Sequence, residues 1–151
     1  MHLVIDIGNT SAKIAVFSQG EMINVVRSSN QSLEGLDELC QQYPIKKGIW
    51  ASVISIPEEI QQQLQQLPFP MTEFTYQTPI PIRNLYKTPQ TLGVDRLAAV
   101  IAAYTLKPHH PALVIDAGTC ITYDFIDEFG QYQGGNISPG MEMRFKALHE
   151  F

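Results

Sequence analysis

One short sequence occurs twice in this chain. Leu3–Gly8 is LVIDIG and Leu113–Gly118 is LVIDAG. Each copy is followed by a threonine, Thr10 or Thr119, and then by a second strand-like run. Internal repeats carry architectural meaning. The repeat therefore predicts two related strand–turn–strand units, and the helices expected between them make the fold an α/β fold with two lobes.

The aspartate within each apolar run is the unusual part of the repeat. An unpaired buried charge is costly, so Asp6 is expected to have a cation, a set of donors or a ligand nearby. An ordinary hairpin turn is the alternative, because Gly-Asn and Asp-Gly sequences are common in turns. A turn explains Gly8 and Asn9 but leaves Asp6 unexplained.

Composition limits the classes of protein that fit. The chain has 151 residues, of which 44% are hydrophobic and 17% charged, enough for one domain or two small lobes with a buried core. The net charge of −5 and the lack of a basic run argue against a nucleic-acid surface. No apolar run approaches the roughly 20 residues of a membrane span. The first residues, MHLVIDIG, lack the basic start of a secretion signal, and Cys40 and Cys120 suit reduced thiols, so a cytoplasmic protein is expected.

Periodicity and turn signals predict the order of elements along the chain. A helix is expected to start at Ser32, and Ser55 with Glu58 fits a capping box for a second helix that ends at Pro68. Another helix is expected from Gly93 to Leu106. The predicted strands are 2–7, 11–17, 22–27, 48–54, 73–77, 112–117, 120–126 and 131–136, and the last helix is 141–151.

Paired Asp-x-Gly turns suit the binding of a polyphosphate with its metal ion. Glycine lets a ligand approach the backbone, and successive N–H groups in a turn form a concave anion site. The threonine hydroxyl adds a donor, and the aspartate attracts a cation that bridges to phosphate. The sequence is not a P-loop, because it lacks Gly-Lys-Ser/Thr and a strand follows the turn.

Two further segments are candidates for the same site. Leu92–Arg96 is LGVDR at the start of an Ala-rich helix, where the helix dipole favours the Asp95 carboxylate. Plain helix-start electrostatics, with Arg96 as a solvated partner, is the alternative there. Gly134–Gly140 is GGNISPG before the last helix. It is either an ordinary connector or a glycine-rich turn that suits anions at a helix N-terminus.

These motifs together resemble the type III pantothenate kinases, in the same order and over essentially the whole chain. The resemblance rests on DIGNT at 6–10, Tyr86-x-x-Pro89-x-x-LGVDR, DAGT at 116–119 and GGNISPG. It implies ribonuclease H-like lobes of the actin/hexokinase type. It also implies a homodimeric enzyme that phosphorylates pantothenate with ATP, the first step of coenzyme A biosynthesis. Mg²⁺ and a monovalent cation, K⁺ or NH₄⁺, are the implied cofactors.

The resemblance also implies roles for individual residues. Asp95 would accept the proton, Asp116 would bind the monovalent cation, and Asp6 would lie near Mg²⁺. Thr119 would contact ATP phosphate. The pantothenate-binding segment would comprise Tyr86, Gly93, Val94, Asp95 and Arg96. The first ATP-phosphate loop would comprise Asp6, Ile7, Gly8, Asn9, Thr10, Ser11, Ala12 and Lys13.

By the same resemblance the first lobe is predicted to cover residues 1–110 and an incomplete second lobe residues 111–151. Phe145, Leu148 and Phe151 would then form an uncovered apolar stripe. This leads to the expectation that the chain alone self-associates, binds ATP weakly and turns pantothenate over slowly.

Two other functions stay open at this point. One is a kinase of the same superfamily with another small hydroxylated substrate, and the other is an ATP-binding regulatory or inactive module. Several residues are expected to have no role in a site. His109 and His110 suit a surface loop, Trp50 suits the core, and Asp124 and Asp127 suit a solvated turn.

Overall fold

The computed structural model describes residues 1–150, and the predicted stripe residue Phe151 lies outside them. The chain divides into two compact units, Met1–Thr75 and the residues from Tyr76 onward. This division comes earlier than the predicted boundary after residue 110. Helix α3 (Val94–Leu106), predicted to belong to the first lobe, packs on strands of the second unit. None of the helices in residues 1–150 is long and apolar enough to cross a membrane.

The first unit is a five-stranded sheet with two helices. Its strand order is β3-β2-β1-β4-β5, in which β1, β2 and β3 are antiparallel and β4 and β5 run parallel to β1. The elements are β1 (His2–Ile7), β2 (Ala12–Ser18), β3 (Glu21–Ser28), α1 (Leu36–Gln42), β4 (Lys47–Ser52), α2 (Glu58–Gln65) and β5 (Met71–Glu73).

The core of the first unit lies between one face of this sheet and the two helices. β1 alternates between buried and half-buried positions, as expected for a central strand with period two. Its buried side chains meet those of α1, α2 and the segment before α1. The core residues are Leu3, Ile5, Ile7, Ala12, Ile14, Val16, Leu33, Leu36, Leu39, Ile60 and Leu64. Trp50 packs against this cluster, as predicted.

The second unit is a four-stranded sheet with two helices. Its order is β6-β9-β8-β7, in which β7, β8 and β9 are antiparallel and the short β6 runs parallel to β9. α3 packs on β7 and β8. The elements are β6 (Arg83–Asn84), α3, β7 (Ala112–Ala117), β8 (Cys120–Ile126), β9 (Gln131–Pro139) and α4 (Met141–Glu150).

The structure corrects several predicted ends of elements. α1 begins after Gly35 in a left-handed conformation (φ 87°), rather than at Ser32. α2 begins after Pro57 without a side-chain cap, so the predicted Ser55–Glu58 capping box is wrong. β5 is Met71–Glu73 instead of 73–77, and β9 continues past 136 to Pro139. Each correction concerns a boundary, where local sequence signals compete with packing.

Candidate active site

The first Asp-x-Gly turn joins β1 to β2 and is held by a side chain from another loop. The Gly8 N–H donates to the Ser11 carbonyl (3.0 Å) and closes the turn. The Asn30 amide nitrogen Nδ2 donates to two turn carbonyls, those of Gly8 (3.0 Å) and Asn9 (2.9 Å). Asn30 follows β3, so its link to the turn was not visible in the sequence. These bonds tie the first turn to the loop that follows β3.

Charged residues lie side by side across the strands next to this turn. Asp6 is half-buried in β1 and is paired in register with Lys13 of β2, which is paired with Arg27 of β3. Register partners share a face of the sheet. The Arg27 Nε also donates to the Ser11 hydroxyl (3.0 Å). Two cations therefore accompany Asp6 at this end of the sheet, and Arg27 was not among the predicted site residues.

The second Asp-x-Gly turn joins β7 to β8 and repeats the bond of the first. The Gly118 N–H donates to the Cys120 carbonyl (2.9 Å), and Asp116, at the end of β7, is exposed. The Gly140 N–H donates to the Thr119 carbonyl (3.0 Å). A Cβ atom on Gly140 would collide with the carbonyl oxygens of Gly118 and Thr119. The end of GGNISPG thus lies directly against the DAGT turn, and glycine at 140 is what permits the contact.

Asp95 occupies the first turn of α3 with one carboxylate oxygen fixed. Its Oδ1 accepts the backbone N–H of Arg96 (2.8 Å), and the side chain is exposed. A Cβ atom on Gly93 would lie 2.5 Å from this Oδ1. Gly93 therefore leaves the space that the carboxylate occupies. The structure brings these two predicted site residues into one local arrangement with Arg96.

Arg96 and Asp124 form a buried ion pair, which excludes the solvated alternative for Arg96 and corrects the prediction for Asp124. Arg96 is 6% exposed and Asp124 1% exposed, so neither the solvated Arg96 nor the solvated turn at Asp124 is right. Arg96 Nε donates to Oδ2 (3.0 Å) and Oδ1 (3.2 Å) of Asp124, and Nη2 donates to Oδ1 (2.6 Å). The Tyr132 hydroxyl also donates to Oδ1 (2.6 Å). We call Arg96, Asp124 and Tyr132 the buried triad.

A signal for Asp124 was present in the strand pattern. β8 alternates, and Asp124 shares a face with the fully buried Ile126. Asp127, by contrast, does belong to a turn, where its Oδ1 accepts the N–H groups of Phe129 (3.0 Å) and Gln131 (2.8 Å). His109 and His110 are exposed, as expected.

Tyr86 lies against the buried triad. Its ring is stacked on that of Tyr132, with centroids 6.2 Å apart and planes at 7°, and the Arg96 guanidinium carbon lies 5.8 Å from the Tyr86 ring centroid. Its backbone N–H donates to the Asn84 side chain (2.9 Å). Tyr86 and Arg96, predicted together from the motif, are thus joined through Asp124 and Tyr132.

The triad shifts the protonation equilibria of its own members. The hydrogen bond to Asp124 raises the pKa of Arg96 beyond its already high usual value, against the opposing effect of burial. Burial, followed by the hydrogen bond to Asp124, raises the pKa of Tyr132 above the usual range of a tyrosine. At neutral pH, Arg96 is therefore a cation and Tyr132 a neutral phenol that donates its proton.

Carboxylates, hydroxyls and backbone groups are the donors that this site offers. Within residues 1–150, no group of three or more His, Cys, Asp or Glu side chains is arranged to hold a metal ion. Oxygen donors from single aspartates suit hard cations that also bind substrate phosphates and water, as Mg²⁺ does. Asp6 in the first unit and Asp116 in the second each offer a carboxylate of the kind that such cations bind.

Comparison with known proteins agrees with these motifs. The family model "Type III pantothenate kinase" matches residues 2–151. Proteins named type III pantothenate kinase from Phocaeicola vulgatus and Bacteroides fragilis (strain ATCC 25285) are 62% and 55% identical over 151 residues, which is 100% of this chain and 62% of each relative. The chain thus spans about three fifths of the length of these curated relatives.

Comparison with solved structures supports the fold. The activator of the 2-hydroxyisocaproyl-CoA dehydratase from Clostridium difficile, with bound ADPNP, matches with a TM-score of 0.51 at 12% identity. The match covers 91% of this chain and 45% of that chain. The match shows that the two proteins share an α/β fold, in agreement with the predicted fold class. From the family model and its motifs, the chain belongs to the type III pantothenate kinase family.

Proposed function

We propose that this chain carries the phosphate-binding turns and the proton acceptor of an enzyme that phosphorylates pantothenate with ATP. The product would be 4'-phosphopantothenate, and the reaction the first step of coenzyme A biosynthesis. The observation that carries the proposal is Asp95, an exposed carboxylate in the first turn of α3 with Oδ1 fixed by the Arg96 N–H. Membership of the pantothenate kinase family supports the choice of substrate.

Asp95 is proposed as the general base. Its Oδ1 is bonded to Arg96, and its Oδ2 has no hydrogen bond within residues 1–150. Oδ2 would accept the proton of the pantothenate primary hydroxyl while that oxygen forms a bond to the γ-phosphorus of ATP. The bond from the γ-phosphorus to the β–γ bridging oxygen breaks, and ADP leaves. Phosphoryl transfer depends mostly on positioning and charge neutralisation, so the base acts late.

The two turns are proposed as contacts for the ATP phosphates. Residues 6–13 would form one contact and Thr119 the other. The Asn9 N–H has no partner within residues 1–150, and Lys13 and Arg27 place positive charge next to that turn. Backbone N–H groups beside cations suit a phosphate.

Asp6 and Asp116 are proposed as the ligands of the two cations, Mg²⁺ at Asp6 and K⁺ or NH₄⁺ at Asp116. When bound, these ions would offset the charge of the phosphates. Asp116→Asn is expected to weaken activation by K⁺ with the fold intact. An unchanged K⁺ response in an active enzyme would remove Asp116 as the ligand.

Tyr86, Gly93, Val94 and Arg96 are proposed to bind pantothenate. Contacts between neighbouring residues support this proposal. Tyr86 lies against the buried triad, of which Arg96 is a member, and Gly93 leaves space for Asp95. We also propose a cytoplasmic homodimer. Cys40 and Cys120 are unpaired thiols, which suits a reducing compartment.

The test uses a chimera, because the curated relatives extend beyond the length of this chain. Residues 1–151 of this chain replace the 151 matched residues of the Phocaeicola vulgatus relative, and ADP release is followed with ATP, Mg²⁺ and K⁺. We expect ADP release that depends on pantothenate. ADP release with another alcohol but not with pantothenate would contradict the proposed substrate.

Asp95→Asn tests the base within the same chimera. The amide keeps the shape and the bond to the Arg96 N–H but cannot accept the proton, so turnover is expected to fall about 10²–10⁴-fold. Glu128→Gln is the matched control, since Glu128 is exposed and has no hydrogen bond within residues 1–150. A near-normal turnover in Asp95→Asn would exclude Asp95 as the base.

A further inference from the structure

We propose that Asp124 and Tyr132 are positioning residues that fix the Arg96 guanidinium, so that its third nitrogen, Nη1, meets the carboxylate of the substrate. The inference rests on the proposed function for its substrate. The motif places Arg96 in the binding segment, but neither Asp124 nor Tyr132 belongs to that motif. Their role follows from contacts that only the folded chain forms.

The Asp124 carboxylate fixes the plane of the guanidinium. It accepts hydrogen bonds from Nε and Nη2, which lie along one edge of the Arg96 guanidinium. This is the side-on arrangement that a planar guanidinium forms with a carboxylate. Both groups are almost fully buried. Because the guanidinium is planar and rigid, fixing two of its nitrogens also fixes the direction of the third.

Nη1 is the guanidinium nitrogen left for a ligand. It has no hydrogen bond within residues 1–150, although Nε and Nη2 are both used. In a guanidinium, Nη1 lies on the side opposite the Nε–H and Nη2 edge, and thus away from Asp124. Arg96 directly follows Asp95 in α3, and its guanidinium carbon lies 5.8 Å from the Tyr86 ring centroid. Pantothenate carries its carboxylate and its primary hydroxyl at opposite ends, so a carboxylate bound at Nη1 leaves the hydroxyl end for the proposed base, Asp95.

Tyr132 fixes the carboxylate that holds Arg96 and the ring that lies against it. Its hydroxyl donates to Oδ1 of Asp124 (2.6 Å), and its ring is stacked on Tyr86. The same residue accepts the Leu85 N–H at its backbone carbonyl (3.0 Å), next to Tyr86 in the chain. Its pKa is raised, so the phenol keeps its proton and donates at working pH. Tyr132 thus helps to fix both groups that contact the Arg96 guanidinium, the Asp124 carboxylate and the Tyr86 ring.

Gly134 of the same strand lies against Tyr86. It has a φ of 102°, which favours glycine, and a Cβ atom there would lie at an ordinary contact distance (3.4 Å) from Cδ2 of Tyr86. β9 therefore contacts the Tyr86 ring at two positions, through the ring of Tyr132 and through Gly134. Such support from neighbouring residues is what keeps a binding geometry precise.

Tyr132→Phe tests the proposal because it removes the hydroxyl and keeps the stacked ring. In the chimera we expect the KM for pantothenate to rise about tenfold, as loss of one charge-assisted hydrogen bond does, with kcat within about threefold. The KM for the analogue whose carboxylate is reduced to an alcohol is expected to stay unchanged. Tyr104→Phe is the control, since the Tyr104 hydroxyl has no hydrogen bond within residues 1–150.

An equal rise in KM for both compounds, or a fall in kcat alone, would overturn the proposal. An inactive wild-type chimera would instead contradict the proposed function, and a second measurement then decides this inference by itself. In this chain labelled with ¹⁵N, the Arg96 Nε–H is expected to exchange slowly with solvent, and at least about tenfold faster in Tyr132→Phe. Equal exchange rates in both proteins would overturn the positioning role of Tyr132.

Discussion

The first strands of the two repeated hairpins have nearly the same sequence, but apolar side chains that are buried in one copy are exposed in the other. In the first unit Leu3 is 0% and Ile5 1% exposed, whereas their counterparts Leu113 and Ile115 are 60% and 57% exposed. β1 lies in the centre of its sheet under α1 and α2, but β7 is at the edge of the second sheet, and α4 buries none of its residues. The motif therefore specifies a strand and a turn, and neighbouring elements decide whether the strand is buried.

The turns themselves are alike despite this difference. In each, the glycine N–H of Asp-x-Gly donates to a carbonyl where the second strand starts, that of Ser11 just before β2 and that of Cys120, the first residue of β8. Each turn has one further contact from outside, from the Asn30 side chain in the first and from the Gly140 N–H in the second. The two hairpins therefore differ more in the burial of their strands than in the bonding of their turns.

The largest expected difference is in stability. Ile5→Ala is expected to lower the free energy of unfolding by about 2–5 kcal/mol, because it leaves a cavity in the core. Ile115→Ala should change it by less than about 0.5 kcal/mol, because the side chain is largely exposed. Urea unfolding followed by far-UV circular dichroism and by Trp50 fluorescence measures both. Losses of equal size would show that burial does not separate the hairpins.

Self-association is expected to come from the exposed strand of the second hairpin. Apolar side chains on an edge strand favour pairing with another chain. Ile115→Lys should weaken association about tenfold in sedimentation, the size of one lost apolar contact of about 1.4 kcal/mol. Ile23→Lys on β3, an edge strand with Glu21 and Arg27 near its ends, is the control and should change association little. The reverse order would place the associating surface in the first unit.

A smaller difference is expected at the turn glycines. A Cβ atom on Gly8 would lie 3.2 Å from the Ser11 carbonyl oxygen, whereas one on Gly118 would be 3.9 Å from that of Cys120. Gly8→Ala should cost about 1 kcal/mol of stability and Gly118→Ala close to none. Thermal unfolding of the two variants decides this, and a larger loss in Gly118→Ala would show that the turns differ in more than space.

The last prediction concerns reactivity rather than stability. Burial, and then the negative charge of Asp37, raise the pKa of the Cys40 thiol above that of an ordinary cysteine. A raised pKa means less thiolate at a given pH, so Cys40 should react more slowly than free cysteine at pH 8, with a rate that still increases above pH 9. The Cys120→Ser variant isolates Cys40 for this measurement, and Asp37→Asn should speed the reaction. A rate that levels off below pH 9 would contradict the shift.

The sequence predicted β1 to β4, β7 to β9, the α3 helix and the turns because these depend on local patterns, whereas β6 was not predicted and β5 overlaps its predicted range only at Glu73. The buried triad escaped prediction, since Arg96 and Asp124 lie 28 positions apart and meet only when α3 packs on β8. The run YDFID at 123–127, with its two aspartates, also resembles the sequence of a turn. Asn30 was missed for a similar reason, because its bonds to the first turn cross from the loop after β3. Pairs of polar side chains that are distant in sequence can be identified only once the fold is known.

The first turn has one residue more than the second, and this difference bears on how repeated segments diverge. Asp6 is paired with Lys13, and Asp116 with Thr122, so the extra residue lies wholly in the turn. Within a strand, a single insertion would move every following side chain to the other face of the sheet. In such a repeat, insertions and deletions are therefore tolerated at the turn and not within the strands. The turn is therefore the part of the hairpin whose length can change without altering the rest.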